Sequence, residues 1–343
     1  MDELLAAGRD VARAWLDASG LGAALAPPPL AQTPRDELPL DGGARLLHFH
    51  GAAPSQRPPI LLVPSMINRW YVLDLRPGAS LVEALVRAGF DVWCLDWGVP
   101  EAEDRYLDWD AALRRLARAA RRVARERGVT LADVALLGYC MGGTLTVIHA
   151  AQHAPRALVT LAAPIDFSRG GALSAMVDTR WFDAGAIADA GNVAPAQMQA
   201  GFTALRPTLD LAKLMSWPAL ATDGDARAAF FALEAWASDN IPFPAEAYRR
   251  YIAEMYQGNQ LVAGTHRANG RAARLADIRC PTLVITASRD PICPPPAALA
   301  LLDHIAATDK AHVEVAGGHV GAVVGSRAAR EMYPALASWL ATR

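Results

Sequence analysis

Hydrophobic residues along this chain change period repeatedly. Short continuous apolar runs fall at 46–49, 60–63, 91–95, 134–137, 158–161, 282–286 and 313–315. Stretches with apolar residues at helical spacing lie at 81–88, 111–127, 144–152 and 328–340. The short runs predict strands buried on both faces, and the longer periodic stretches predict helices. Strands alternating with helices predict an α/β fold, with a mostly parallel central sheet flanked by helices. Ahead of the first strand, residues 3–18 have helical periodicity. Pro27-Pro28-Pro29 and Pro34 then predict a linker or extended arm.

The interval 168–271 breaks the rhythm. It lacks clear strand patterns and carries Trp181, Phe182, Trp217-Pro218, Phe230-Phe231, Trp236, Pro242-Phe243-Pro244, Tyr248, Tyr251 and Tyr256. A mainly helical cap inserted between two halves of a sheet fits this pattern. The expected organisation is an N-terminal helix and proline-rich arm over 1–40, a core over 41–167 and 272–343, and a cap over 168–271.

The chain is 343 residues long, 52% hydrophobic and 20% charged, which suits a sizeable buried core. A net charge of −2 gives no global electrostatic case for nucleic acid. The arginine-rich stretch 114–127 has its apolar residues at helical spacing and reads as a solvated helix face. Cysteines at 94, 140, 280 and 293 form no CxxC pair and no zinc spacing. They fit a reducing cytoplasm, and Cys94 reads as a core residue. Met1-Asp2-Glu3-Leu4 lacks the basic start of a signal peptide, and no apolar run is long enough to span a membrane. His48 and His50 share one strand face and could in principle bind metal. No third ligand is evident, so an exposed strand face is expected and no metal.

Gly138-Tyr139-Cys140-Met141-Gly142 adds chemistry to this frame. An apolar strand leads in and a helix-compatible run leads out, the form of a nucleophile elbow with cysteine at its tip. The glycines leave room where a Cβ would clash, and the N–H groups opening the next helix can stabilise a negative acyl oxygen. The α/β-hydrolase fold places nucleophile, acid and histidine in that chain order. Asp290 follows the strand 282–286, and His319 lies in Gly317-Gly318-His319-Val320-Gly321 after the last strand. Cys140, Asp290 and His319 are therefore the candidate triad. His319 would take the thiol proton, and Asp290 would hold the imidazole. The Met141 N–H and an N–H at Met66 or Ile67 are the candidate oxyanion donors.

Several motifs resemble polyhydroxyalkanoate synthases. Val63-Pro64-Ser65-Met66-Ile67-Asn68-Arg69-Trp70-Tyr71-Val72-Leu73-Asp74-Leu75, Asp96-Trp97-Gly98-Val99-Pro100, the cysteine elbow, Trp236 with Asp239, and Gly317-Gly318-His319-Val320-Gly321 match that family in order, from about residue 40 onward. The short N-terminal region looks most like the class III catalytic subunit, which works with a second, non-catalytic subunit. The resemblance implies a Cys-His-Asp triad at Cys140, His319 and Asp290. It implies polymerisation of (R)-3-hydroxyacyl-CoA with release of CoA, and substrate contacts at Asn68 and Tyr71. CoA enters as part of the substrate, so no separate cofactor is expected. A homodimer is compatible with the sequence, and the expected location is the cytoplasm or a polyester granule surface. The family usually has histidine after the acid, where this chain has Pro291. A thioesterase or polyester hydrolase using the same triad on water is the alternative. A non-catalytic homologue is a third reading.

Overall fold

The computed structural model describes residues 28–52, 55, 57–205 and 223–343. The expected helix at 3–18 and the pair Trp217-Pro218 lie outside the described residues. Every apolar run predicted as a strand becomes one, in a single eight-stranded sheet. Its strands are β1 (Arg35–Pro39), β2 (Arg45–Phe49), β3 (Pro59–Val63), β4 (Asp91–Asp96), β5 (Ala135–Tyr139), β6 (Leu158–Leu161), β7 (Thr282–Ala287) and β8 (Lys310–Val315). They lie in the order β1-β2-β4-β3-β5-β6-β7-β8. The β1–β2 and β2–β4 pairs are antiparallel and all others are parallel. Strands β3, β5 and β6 are buried at every position, so only the middle of a sheet covered on both faces can hold them.

Strand β1 corrects the expectation that an arm runs to residue 40. Arg35-Asp36-Glu37-Leu38-Pro39 has no apolar run because it is an edge strand, exposed along much of its length. Pro39 is tolerated at its end, where a missing N–H breaks no central ladder.

Helices α1 (Leu81–Arg87), α2 (Trp109–Arg127) and α3 (Met141–Gln152) connect the first strands. Alternation along each strand divides the core. Leu61 and Leu136 face the side of Leu116, Val123 and Leu145 on α2 and α3. Ile60, Leu62 and Leu137 face Leu85 of α1 and the C-terminal Leu336. Helix α2 starts where Asp108 accepts from the Ala111 N–H at 2.7 Å, and it ends at Gly128 with φ +64°. Its arginines follow the expected solvated face, except Arg115, which is buried and lies 3.1 Å from Asp41.

Between β6 and β7 the chain forms α4 (Gly171–Met176), α5 (Ala184–Asp189), α6 (Pro195–Ala204), α7 (Gly224–Ser238) and α8 (Ala245–Arg250). Helix α8 runs into a π-helical segment, Tyr251–Gln257. A two-residue ribbon pairs Arg267–Ala268 with Arg271–Ala272. The sheet resumes with β7, α9 (Pro295–His304), β8, α10 (Gly321–Val324), a π-helical turn at Ala328–Met332, and α11 (Tyr333–Ala341).

Residues 236–240 stitch the inserted helices to the loop after β3. Trp236 Nε1 donates to the Arg69 carbonyl at 3.0 Å, and Tyr71 Oη donates to Asp239 Oδ2 at 2.7 Å. Asn68 Nδ2 donates to Asn240 Oδ1 across an isolated β-bridge.

Candidate active site

Cys140 occupies the turn between β5 and α3 with φ 54° and ψ −128°, a conformation costly for a residue with a Cβ. The surroundings enforce it. The Cys140 N–H donates to the Leu161 carbonyl of β6 at 3.0 Å, and the Gly143 N–H returns to the Cys140 carbonyl at 2.9 Å. The glycines are required by close approach. A methyl at Gly142 would overlap the carbonyl oxygens of Val63 and Pro64, and one at Gly143 would overlap Ala163. Backbone cannot yield as a flexible side chain does. Gly142→Ala should therefore cost about 3 kcal/mol or more in urea denaturation, at the upper end of overpacking effects.

The loops after β7 and β8 bring Asp290 and His319 together. They are tied by N–H bonds from Ser288 to the Val315 carbonyl at 2.9 Å and from Arg289 to the Gly317 carbonyl at 2.8 Å. His319 Nδ1 donates to Asp290 Oδ2 at 2.7 Å, and both side chains are buried. The other carboxylate oxygen, Oδ1, accepts from the N–H groups of Ile292 and Cys293, each at 2.9 Å. This accounts for Pro291. The turn uses N–H groups two and three residues on, so a residue with no N–H fits directly after the acid.

The Cys140 side chain lies near enough to His319 to act on its imidazole. Burial on its own would lower the imidazole. The charge interactions with Cys140 and with the Asp290 carboxylate, and the hydrogen bond that Asp290 accepts, outweigh it and push it up to about 10. His319 is therefore held as imidazolium at neutral pH. Helix α3 begins immediately after Cys140, so the positive end of its dipole faces the sulfur.

Above Cys140 lies a cavity of about 220 Å³. Ile67 and Met141 line it with Cys140, while Phe182, Met198, Phe243 and Tyr248 from the inserted segment contribute walls. A larger groove of about 1000 Å³ lies at the other end of the sheet, around the start of β4, away from this chemistry.

The remaining predicted residues separate. Met141 supplies the first N–H of α3, which has no intrahelical acceptor. Ile67 lines the cavity with Cys140, whereas the Met66 side chain lines a separate small pocket with Trp97. Asn68 and Tyr71, expected to touch substrate, do not line the cavity. They hold Asn240 and Asp239 instead, and Arg69 lies 3.6 Å from the same Asp239.

Two cavity residues stand out in the sequence only as members of the cap aromatics. Tyr251 and Tyr256 pack edge to face in the cavity wall, with ring centroids 5.5 Å apart. Burial pushes both phenols up, so they stay neutral. Their spacing of five belongs to a π-helix, and an α-helical reading would set them on different faces. The unusual density of tyrosines at 248, 251 and 256 was the available signal.

The alpha/beta hydrolase fold family model matches residues 58–326. The chain is 32% identical over 320 residues to the poly(3-hydroxyalkanoate) polymerase subunit PhaC of Haloferax mediterranei, covering 92% of this chain and 65% of that protein. It is 33% identical over 298 residues to the protein of the same name from Allochromatium vinosum, covering 85% of this chain and 83% of that one. Among solved structures, monoglyceride lipase of Saccharomyces cerevisiae matches with a TM-score of 0.57 at 13% identity, covering 92% of this chain and 99% of the lipase. A hydrolase from Pseudomonas aeruginosa matches with a TM-score of 0.55 at 18% identity, covering 89% and 98%. At these identities the structural likeness speaks for the fold alone.

Proposed function

Because the chain belongs to the poly(3-hydroxyalkanoate) polymerase family on an α/β-hydrolase fold, we propose that it polymerises (R)-3-hydroxyacyl units from CoA thioesters, with Cys140 carrying the growing acyl group. One observation supports this reading: Cys140 lines a mostly apolar cavity, and the imidazole of His319, whose pKa the charge of Cys140 helps to raise, is held by the buried carboxylate of Asp290. In the first step the Cys140 thiolate attacks the thioester carbonyl. The oxyanion is stabilised by N–H groups of Met141 and of Ile67 or Met66. The carbon–sulfur bond to CoA breaks, and His319 gives its proton to the departing sulfur.

One thioester replaces another, so the acyl group keeps its activation. In the second step His319, now neutral, takes the proton of a 3-hydroxyl on a second unit or a chain end. That oxygen attacks the Cys140 thioester, an ester bond forms, and the thiolate and imidazolium return together. Water in the cavity would divert the intermediate to free acid. The walls contributed by the described residues of the interval 168–271, acting as a cap, serve to exclude it. Asn68 and Tyr71 act by fixing that cap to the loop bearing the oxyanion donor.

Purified protein given (R)-3-hydroxybutyryl-CoA, with and without a candidate second subunit, should release CoA and form polyester. Release of CoA with only free hydroxy acid in every condition would reject polymerisation and favour a thioesterase.

A further inference from the structure

The edge strand that the sequence concealed brings a third group to His48 and His50. His48 lies in β2 and His50 just past its end, two residues apart and with their rings 5.0 Å apart. Asp36 of β1 stands directly opposite His48 in the antiparallel register, on the same face. One donor atom from each of the three lies within 4.8 Å of the others. His50 Nε2 is 3.0 Å from Asp36 Oδ2.

His48 is held as metal-binding histidines are held. Its Nε2 is 2.9 Å from Asp91 Oδ1, and its ring lies flat on Trp93 with centroids 3.8 Å apart and planes inclined by 2°. Asp91 is itself buried, accepts from Trp93 Nε1 at 2.7 Å and lies 3.0 Å from Arg127. A carboxylate behind one ring nitrogen fixes the tautomer and leaves Nδ1 as the lone-pair donor.

We propose that Asp36, His48 and His50 bind a divalent transition-metal ion of the zinc type. Two imidazoles and one carboxylate favour zinc, cobalt, nickel or copper over magnesium or calcium, whose preferred ligands are all oxygen. Ligand bonds of about 2.0–2.2 Å require donors about 3.3 Å apart, closer than the present spread. Asp36 and His50 are 69% and 41% exposed and free to close upon the fixed His48. Water from the adjoining groove completes the coordination. The ion would fasten β1 to β2, pinning the free edge of the sheet. The site lies away from Cys140, so its effect is on stability and not on acyl transfer.

Calorimetric titration of the full chain with Zn²⁺ tests this, using Cys140→Ser to remove the competing thiol. A single equivalent should bind with micromolar affinity and raise Tm by a few degrees, while Mg²⁺ has no effect. Asp36→Asn and His50→Gln, both at exposed positions, should each weaken binding by about tenfold or more. Their metal-free Tm checks that they still fold. Cobalt in place of zinc should give visible d–d bands without thiolate charge transfer. Absence of binding, or an isotherm unchanged in the double variant Asp36→Asn/His50→Gln, overturns the proposal.

Discussion

Replacing Cys140 with alanine should reduce CoA release by about 10⁴-fold or more, the scale on which losing a covalent nucleophile acts. Among the described residues, nothing else beside the cavity can replace it. Cys293 is buried, its thiol is pushed well up by burial and by the negative charge of Asp290 and Cys140, and it does not line the cavity. The fold should survive. Cys140 is only partly buried, and its strained φ is imposed by bonds to Leu161 and Gly143 that an alanine backbone keeps. Steady-state CoA release and a thermal melt, measured together, separate loss of chemistry from loss of fold. Cys140→Ser should also be poor, because an oxygen ester discards the activation that a thioester retains.

Asp290→Asn should lower the acylation rate by about 10⁴-fold, as expected when the group orienting a catalytic imidazole loses its charge. The introduced side-chain amide can present an N–H to His319 Nδ1 and so turn the ring to the wrong tautomer. The proton equilibrium should shift as well. In the native site His319 is pushed up to about 10 by Cys140 and Asp290 against the opposing effect of burial. A base with a raised folded value contributes stability in full below its ordinary value of about 6.5, and loses it as pH climbs towards 10. Removing the carboxylate lowers the folded value, so the loss still begins at about 6.5 in the variant but is smaller in total and complete at lower pH. Melts across neutral to alkaline pH, together with an NMR titration of the imidazole, read that displacement. Equal titration in both proteins would mean that Asp290 does not charge-stabilise His319.

The parts of the fold legible in the sequence were those written in continuous apolar residues. Runs such as 60–63 and 158–161 are buried at every position and have no structural alternative. The elbow was equally legible, because close backbone contacts at Gly142 and Gly143 admit no side chain. Polar edges were not. Arg35–Pro39 pairs through its backbone on one side only and carries no hydrophobic signature, and with it Asp36 was missed as a neighbour of His48 and His50. The destinations of Asn68 and Tyr71 were hidden for another reason. Their partners Asn240 and Asp239 lie 172 and 168 residues away in the chain, beyond any local pattern. Pro291 stood out as a departure until the structure showed that Asp290 bonds the two N–H groups beyond it.

The central claim is that Cys140 carries the acyl group as a thioester. Mixing the protein with (R)-3-hydroxybutyryl-CoA, quenching in acid within one turnover and mapping the peptides by mass spectrometry tests it most directly. The account predicts a hydroxybutyryl adduct on the peptide containing Cys140, removed by neutral hydroxylamine and absent from Cys140→Ala. CoA release at full rate with no adduct on Cys140, or with the adduct on another residue, would contradict it.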